Sequence, residues 1–89
     1  MSVEFQVKKA KAIENFKKVM SVVTLSSKNY RIVAMTVDKE GKPVTVVLTP
    51  DEMLREMQLE SKIGLENIEI WSRDIDEEIK KIERKYRCS

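Results

Sequence analysis

The 89-residue sequence has no histidine, one cysteine and only two glycines. Without an imidazole, nucleophilic catalysis of the Ser-His or Cys-His type lacks its general base. Two separated glycines, Gly41 and Gly64, cannot form a phosphate-binding loop. The single cysteine, Cys88, cannot close an intrachain disulfide, and a zinc site would depend on carboxylates alone. These absences predict a protein that is not an enzyme and that has neither a metal site nor a cofactor.

Long apolar segments are also missing. No apolar run approaches the roughly 18 residues of a membrane span, and the N-terminus lacks the apolar segment of a signal peptide. Because low cysteine content is typical of a reducing compartment, we expect a cytoplasmic protein without membrane contact. Charged residues make up 36% of the chain, against roughly 25% in ordinary globular proteins. This Lys- and Glu-rich composition is typical of thermophiles, although chance drift in a short chain gives the same result.

Charge is distributed unevenly along the chain. Residues 1–50 carry a net charge of +5 and residues 51–89 a net charge of −3. A basic half of this kind is able to neutralise the phosphates of duplex DNA. The candidate phosphate contacts are Lys8, Lys9, Lys11, Lys17, Lys18 and Arg31. The alternative is an ordinary solvated surface with a chance asymmetry.

The first 50 residues contain a short alternating segment, an amphipathic helix pattern and a hairpin pattern. Val3–Val7 alternates like a short strand, although the same residues could extend the next helix backwards. Residues 8–24 have the apolar spacing of an amphipathic helix, and residues 25–29 form a loop. Two β-rich runs, Tyr30–Asp38 and Val44–Thr49, flank residues 39–43, so the pattern predicts a hairpin with a loop of four or five residues.

A helix is expected directly after the hairpin. Thr49 is placed as N-cap, Pro50 at the first helical position and Glu52 three residues after the cap, which is a capping box. Gly64 is the expected stop. The methionines Met53 and Met57 form the apolar stripe, which suits core packing or an adaptable partner groove.

The last quarter of the chain allows two interpretations. In one, Asn67–Trp71 is a short strand, and Ser72 or Asp74 caps a helix that follows it. In the other, a single helix runs from Leu65 with heptad spacing. Residues 74–87 are helical in both, because acids lead, bases trail and the apolar spacing is regular.

This C-terminal helix carries an apolar stripe that requires a cover. A chain of 89 residues has limited capacity to cover three apolar stripes at once, which favours self-association or a second protein as partner. The residues expected to bind a partner or to form a homodimer are Trp71, Ile75, Ile79, Ile82 and Tyr86.

Together the patterns predict one α+β domain over residues 1–89. The expected order is β-α-β-β-α-(β)-α, with a small mixed or antiparallel sheet around a central β-hairpin. That order is ferredoxin-like, with the last helix appended.

Gly41–Met53, with sequence GKPVTVVLTPDEM, resembles the hairpin-to-helix stretch of Phd/YefM-type antitoxins. Upstream, Val3–Val7 and the segment Ala12–Phe16, which includes Asn15, are similar to the family's first strand and its asparagine-bearing helix. The resemblance implies an antitoxin-like fold as the alternative to the ferredoxin-like one. It also implies an N-terminal half that dimerises and binds DNA, and a C-terminal segment that wraps a toxin. Three features depart from the family: a longer link before the hairpin, lysines at the base-reading positions and a more regularly amphipathic tail.

Two functions follow from the sequence, both non-enzymatic. The first is a DNA-binding, antitoxin-type transcriptional regulator that also binds a partner protein. The second is a ferredoxin-like accessory or scaffold subunit that acts only through protein contacts. A winged-helix remnant is a third alternative, although the chain before the hairpin is short for a full helix-turn-helix.

Overall fold

The structure, a computed structural model, describes residues 2–26 and 29–87. The helices and strands are α1 Val3–Ser26, β1 Ile32–Val37, β2 Pro43–Leu48, α2 Pro50–Leu59, α3 Lys62–Trp71 and α4 Asp76–Arg87. The predicted α+β class with a β-hairpin is confirmed. The order among the described residues is α-β-β-α-α-α, and their sheet has two antiparallel strands. Cys88 lies outside the described residues.

Helix α1 begins at Val3. The predicted strand over Val3–Val7 is therefore wrong, and these residues extend the helix backwards. The Ser2 hydroxyl accepts a hydrogen bond from the Phe5 backbone N–H at 3.2 Å, which satisfies one of the free donors at a helix start. Val3 and Val7 then lie one turn apart on the same exposed face. The helix continues to Ser26, and the remainder of the predicted loop includes residues 27–28, which are outside the described residues.

The core forms where α2, α3 and α4 pack against α1. Its buried side chains are apolar and come from all four helices: Ala12, Phe16, Val19, Met20, Val23, Met53, Met57, Ile68 and Ile79. The α2 stripe of Met53 and Met57 is therefore core, and both methionines are fully buried.

The hairpin turn is built around Asp38. The Gly41 N–H donates to the Asp38 carbonyl at 3.0 Å, and the Asp38 N–H donates to the Lys42 carbonyl at 2.9 Å. Gly41 has a φ of 81°, and the Asp38 carboxylate accepts from the N–H groups of Glu40 and Lys42. This is a three-residue loop with a glycine bulge, shorter than the predicted four or five residues.

Helix α2 begins at the predicted capping box, which is confirmed. The Thr49 hydroxyl accepts from the Glu52 N–H at 3.1 Å, and the Thr49 N–H donates to the Glu52 carboxylate at 2.9 Å. The hydrogen bond from the Thr49 backbone holds the pKa of Glu52 below its ordinary value, because it favours the charged carboxylate.

The prediction that Gly64 ends this helix is wrong. Helix α2 ends at Leu59, and Glu60 adopts the left-handed conformation with φ 55°. Gly64 instead lies in the first turn of α3, where the Ser61 hydroxyl accepts its N–H at 3.1 Å. A Cβ atom at Gly64 would collide with the Glu56 backbone carbonyl. The glycine therefore permits the close approach of α2 and α3.

A corner separates α3 from α4, so neither interpretation of the last quarter of the chain is correct. Asn67–Trp71 is helical, so the strand is wrong, and the helix is interrupted at 72–75, so the single long helix is wrong as well. Asn15 of α1 is fully buried and donates to the carbonyls of Trp71 and Arg73 at 2.7 and 2.9 Å. The predicted helix over 74–87 is confirmed as α4.

The hairpin packs on the core mainly at its open end, through Tyr30, Ile32, Ala34 and Leu48. The radius of gyration is 14.0 Å, whereas a compact chain of this length has about 12 Å. The molecule is accordingly elongated, at 44 × 30 × 18 Å.

Candidate functional site

Three of the six predicted phosphate-binding cations form ion pairs within the chain. The Lys8 ammonium lies 2.9 Å from the Glu69 carboxylate. Lys9 lies 2.8 Å from Glu60 and also donates to the Gln58 carbonyl at 3.1 Å. The Lys9 and Glu60 side chains are only 19% and 20% exposed, so this pair fastens α1 to the end of α2.

Lys18 pairs with Glu14 one turn earlier in α1, at 3.0 Å. This hydrogen-bonded pair raises the pKa of Lys18 and lowers the pKa of Glu14. Within the described part of the chain, no ion pair involves the other three cations, Lys11, Lys17 and Arg31. The six cations thus do not form one free basic stripe.

The predicted partner-binding face of α4 lies against α1 of the same chain. Ile79 is 6% exposed and belongs to the core. The neighbouring side chains are partly buried and pack on that core: Trp71, Ile75, Ile82 and Tyr86. Trp71 meets Phe16 edge to face, with ring centroids 5.3 Å apart. Helix α1 of the same chain thus buries Ile79 and covers the rest of the isoleucine ridge in part.

A different apolar surface is open to solvent on the hairpin. Its side chains alternate outward from both strands, and we call this surface the outer face: Val33, Met35, Val37, Thr45 and Val47. Val33, Met35 and Val47 are 67%, 62% and 59% exposed. Thr45 donates its hydroxyl hydrogen to the Met35 sulfur across the strands at 3.3 Å. No member of the outer face is charged.

The free edge of β1 presents backbone groups as well. The hydrogen-bonded pair Asp38–Lys42 fixes the alternation of the ladder. In β1, the residues of odd number, including Val33 and Met35, therefore belong to non-hydrogen-bonded pairs. Their N–H and C=O groups point away from β2. At the end of this edge, Lys62 of α3 donates its ammonium to the Val37 carbonyl at 3.0 Å. On the opposite edge, Pro43 has no N–H to offer.

A groove of about 390 Å³ separates the β1 edge from α3. Its walls are Ile32–Met35 on the strand, and Glu66, Asn67, Ile70 and Trp71 on the helix. Lys62, at the start of α3, contacts the last residue of β1, whereas Glu66, Asn67, Ile70 and Trp71 line the groove farther along the helix. Glu66 and Ile70 are one turn apart on α3, about 6 Å, which is close to the roughly 6.6 Å between successive side chains on one face of a strand.

Among the described residues, no three Asp, Glu, His or Cys side chains are grouped so as to hold a metal ion. The helices over residues 2–26 and 29–87 include none with the length and apolar character needed to cross a bilayer.

A scan of protein-family models, a search of curated proteins and a search of solved structures each found no match to this chain. The similarity of Gly41–Met53 to Phd/YefM-type antitoxins therefore stays a prediction from the residues themselves.

The outer face and the β1 edge were not among the residues singled out in the sequence. A signal for them exists in Ile32–Val37, where apolar residues occupy both alternating sets of positions. A strand that is apolar on both faces is typical of a sheet covered on both sides. Here the chain covers one side, at the open end of the hairpin.

Proposed function

We propose that this chain is a non-enzymatic binding module that acts through protein–protein contacts and self-associates through the outer face of its hairpin. The observation that carries the proposal is the exposure of an uncharged, largely apolar outer face in a chain of which 36% is charged.

Solvent exposure of this surface has an energetic cost. Burial of a valine side chain stabilises by about 1.5–3 kcal/mol, and Val33 and Val47 each leave more than half of that surface in water. A two-stranded hairpin is also marginally stable unless a further layer covers it. A partner that covers the outer face would relieve both costs.

A second copy of the chain suits this face better than a charged partner does. The outer face has no charge to select an oppositely charged surface, and an apolar surface is complementary to itself about a twofold axis. A patch of this kind covers on the order of 400 Å². Two such patches fall below the roughly 1,200 Å² of a standard stable interface, so we expect a weak, concentration-dependent homodimer.

Protein contact is favoured over DNA contact because Lys8, Lys9 and Lys18 are engaged in ion pairs. Duplex DNA binding, a toxin-like partner and a cytoplasmic location stay predictions. A DNA-binding function would have to depend on Lys11, Lys17 and Arg31.

The dimer is tested with two matched substitutions at exposed valines. Val33→Glu places a charge on the outer face, whereas Val7→Glu places the same charge on α1 at similar exposure, 64% against 67%. Sedimentation equilibrium from micromolar to millimolar concentration measures the dissociation constant of each variant. Since the substitution acts twice in a symmetric dimer, we expect V33E to weaken association at least about thirtyfold and V7E to leave it unchanged.

Two results would contradict this proposal. One is a wild-type chain that sediments as a monomer throughout the concentration range, and the other is a V7E substitution that weakens the dimer as strongly as V33E does. Circular dichroism of both variants confirms that the comparison concerns folded protein.

A further inference from the structure

The geometry points to the groove between β1 and α3 as a strand-addition site for an extended peptide segment of a partner protein, with a basic side chain between apolar ones. This inference rests on the proposed function as a protein-binding module, but it does not require the dimer, which uses the outer face.

Backbone chemistry determines the shape of the ligand. Val33 and Met35 present N–H and C=O groups on the free edge of β1, two residues apart, as in a ladder that lacks its next strand. Only an extended chain matches that spacing. The Lys62 ammonium on the Val37 carbonyl closes one end of the edge, so the added strand is short.

The walls of the groove determine its side chains. Ile70 is 51% exposed and, with Trp71, forms the apolar part of the α3 wall. Alternate residues of an added strand point to one face of the sheet. The residues that face α3 should therefore be apolar opposite Ile70.

Glu66 determines the charge. This carboxylate is half-buried in the α3 wall, one helical turn from Ile70. Within the described chain it has no ion pair. In a largely apolar groove, an unpaired carboxylate favours a cationic side chain on the ligand. The ligand we infer thus carries Lys or Arg two residues from an apolar side chain, both on the face toward α3.

The test uses the full chain, labelled with nitrogen-15, and the peptide acetyl-Thr-Ile-Thr-Lys-Thr-Ile-Thr-amide. Backbone amide spectra report binding at individual residues. We expect the amides of Val33 and Met35 to shift with saturation at millimolar peptide or below. A peptide with Glu in place of Lys should bind about fivefold more weakly, and Glu66→Lys should reverse that preference.

A chemical control removes only the strand pairing. In antiparallel pairing with β1, N-methylation of the two threonines that flank the lysine deletes the donors aimed at the strand, and we expect an approximately tenfold loss of affinity. Three outcomes would overturn the inference: no shift at Val33 and Met35, equal binding of the methylated peptide, or an unchanged charge preference in E66K. Concentration-dependent protection of these amides without peptide would also overturn it, because a second copy would then occupy the edge. Sedimentation of V33E decides the dimer independently.

Discussion

Replacement of Asn15 by alanine should remove the main polar link that holds the α3–α4 corner against α1. Its amide nitrogen donates to two carbonyls, those of Trp71 at 2.7 Å and Arg73 at 2.9 Å, and the side chain is fully buried. Each buried carbonyl that loses its donor costs about 1 kcal/mol, and the truncated side chain leaves a cavity that adds about as much. We expect Asn15→Ala to lower the free energy of unfolding by roughly 3 kcal/mol.

That loss is a large fraction of the stability of a small domain, which is about 5–10 kcal/mol. Urea denaturation followed by circular dichroism measures it, and fluorescence of Trp71 reports the corner itself, since its ring packs on Phe16. Asn67→Ala is the matched control. Asn67 is 9% exposed, and its amide donates only to the Ile63 carbonyl one turn earlier in the same helix. We expect less than half the loss from this control.

A second variant separates the donor from the volume. Asn15→Asp preserves the shape but turns a carboxylate toward two carbonyl oxygens, and burial raises the pKa of such a group. A raised pKa in the folded state means that stability is lost as pH rises, so N15D should be more destabilised at neutral pH than in acid. A loss below about 0.5 kcal/mol in Asn15→Ala would refute the reasoning, because the two carbonyls would then have to be satisfied by water.

Two further predictions concern the ends of α2. Thr49→Ala should lower the free energy of unfolding by about 1 kcal/mol, because the Glu52 N–H loses its hydroxyl acceptor. The backbone N–H at position 49 is retained, so T49A should keep most of the lowering of the Glu52 pKa, whereas Glu52→Gln should remove the pH dependence that this carboxylate causes. Because the wild-type pKa is lowered, the contribution of Glu52 is complete above its ordinary value of 4.5 and is lost as pH falls through the lowered one, which urea titrations at several pH values measure. An unaltered pH dependence in E52Q would count against the capping box as its source. Gly64→Ala should lower the free energy of unfolding by about 2 kcal/mol because the new Cβ meets the Glu56 carbonyl. Helix propensity alone predicts the opposite, a gain in stability of about 1 kcal/mol. The sign of the change in melting temperature on thermal denaturation distinguishes the two.

Local signals in the sequence were sufficient for the hairpin, the capping box and α4. Each depends on residues close together in the chain, such as Thr49 with Glu52. Two of the failures, at the α3–α4 corner and at Gly64, involve contacts outside the local segment. Asn15 donates to carbonyls 56 and 58 residues away, so the contact that supports the corner between α3 and α4 is not visible within 65–87. Similarly, Gly64 has the residue type of a helix stop, but the approach of Glu56 explains its position.

The candidate site was predictable only in part. Lysine clusters in α1 are visible in the sequence, but their ion partners Glu60 and Glu69 lie about 50 to 60 residues away. The apolar stripe of α4 is also visible in the sequence, yet periodicity cannot say whether the same chain or another one covers it. Conversely, the outer face follows from strand alternation once Ile32–Val37 is paired with Pro43–Leu48.

The turn at Asp38 has a consequence for the reliability of folding. In most hairpins, a register shift of one residue exposes apolar side chains to water and buries polar ones. The shifted pairing is therefore much less stable than the native one. Here valines occupy both sides of the ribbon, so a slipped pairing would expose almost as much hydrocarbon as the native one. The native pairing therefore depends on the three loop residues, Lys39, Glu40 and Gly41. It also depends on the Asp38 carboxylate, which accepts hydrogen bonds from backbone N–H groups of the turn. Insertion of one residue there would exchange which valines meet the helices.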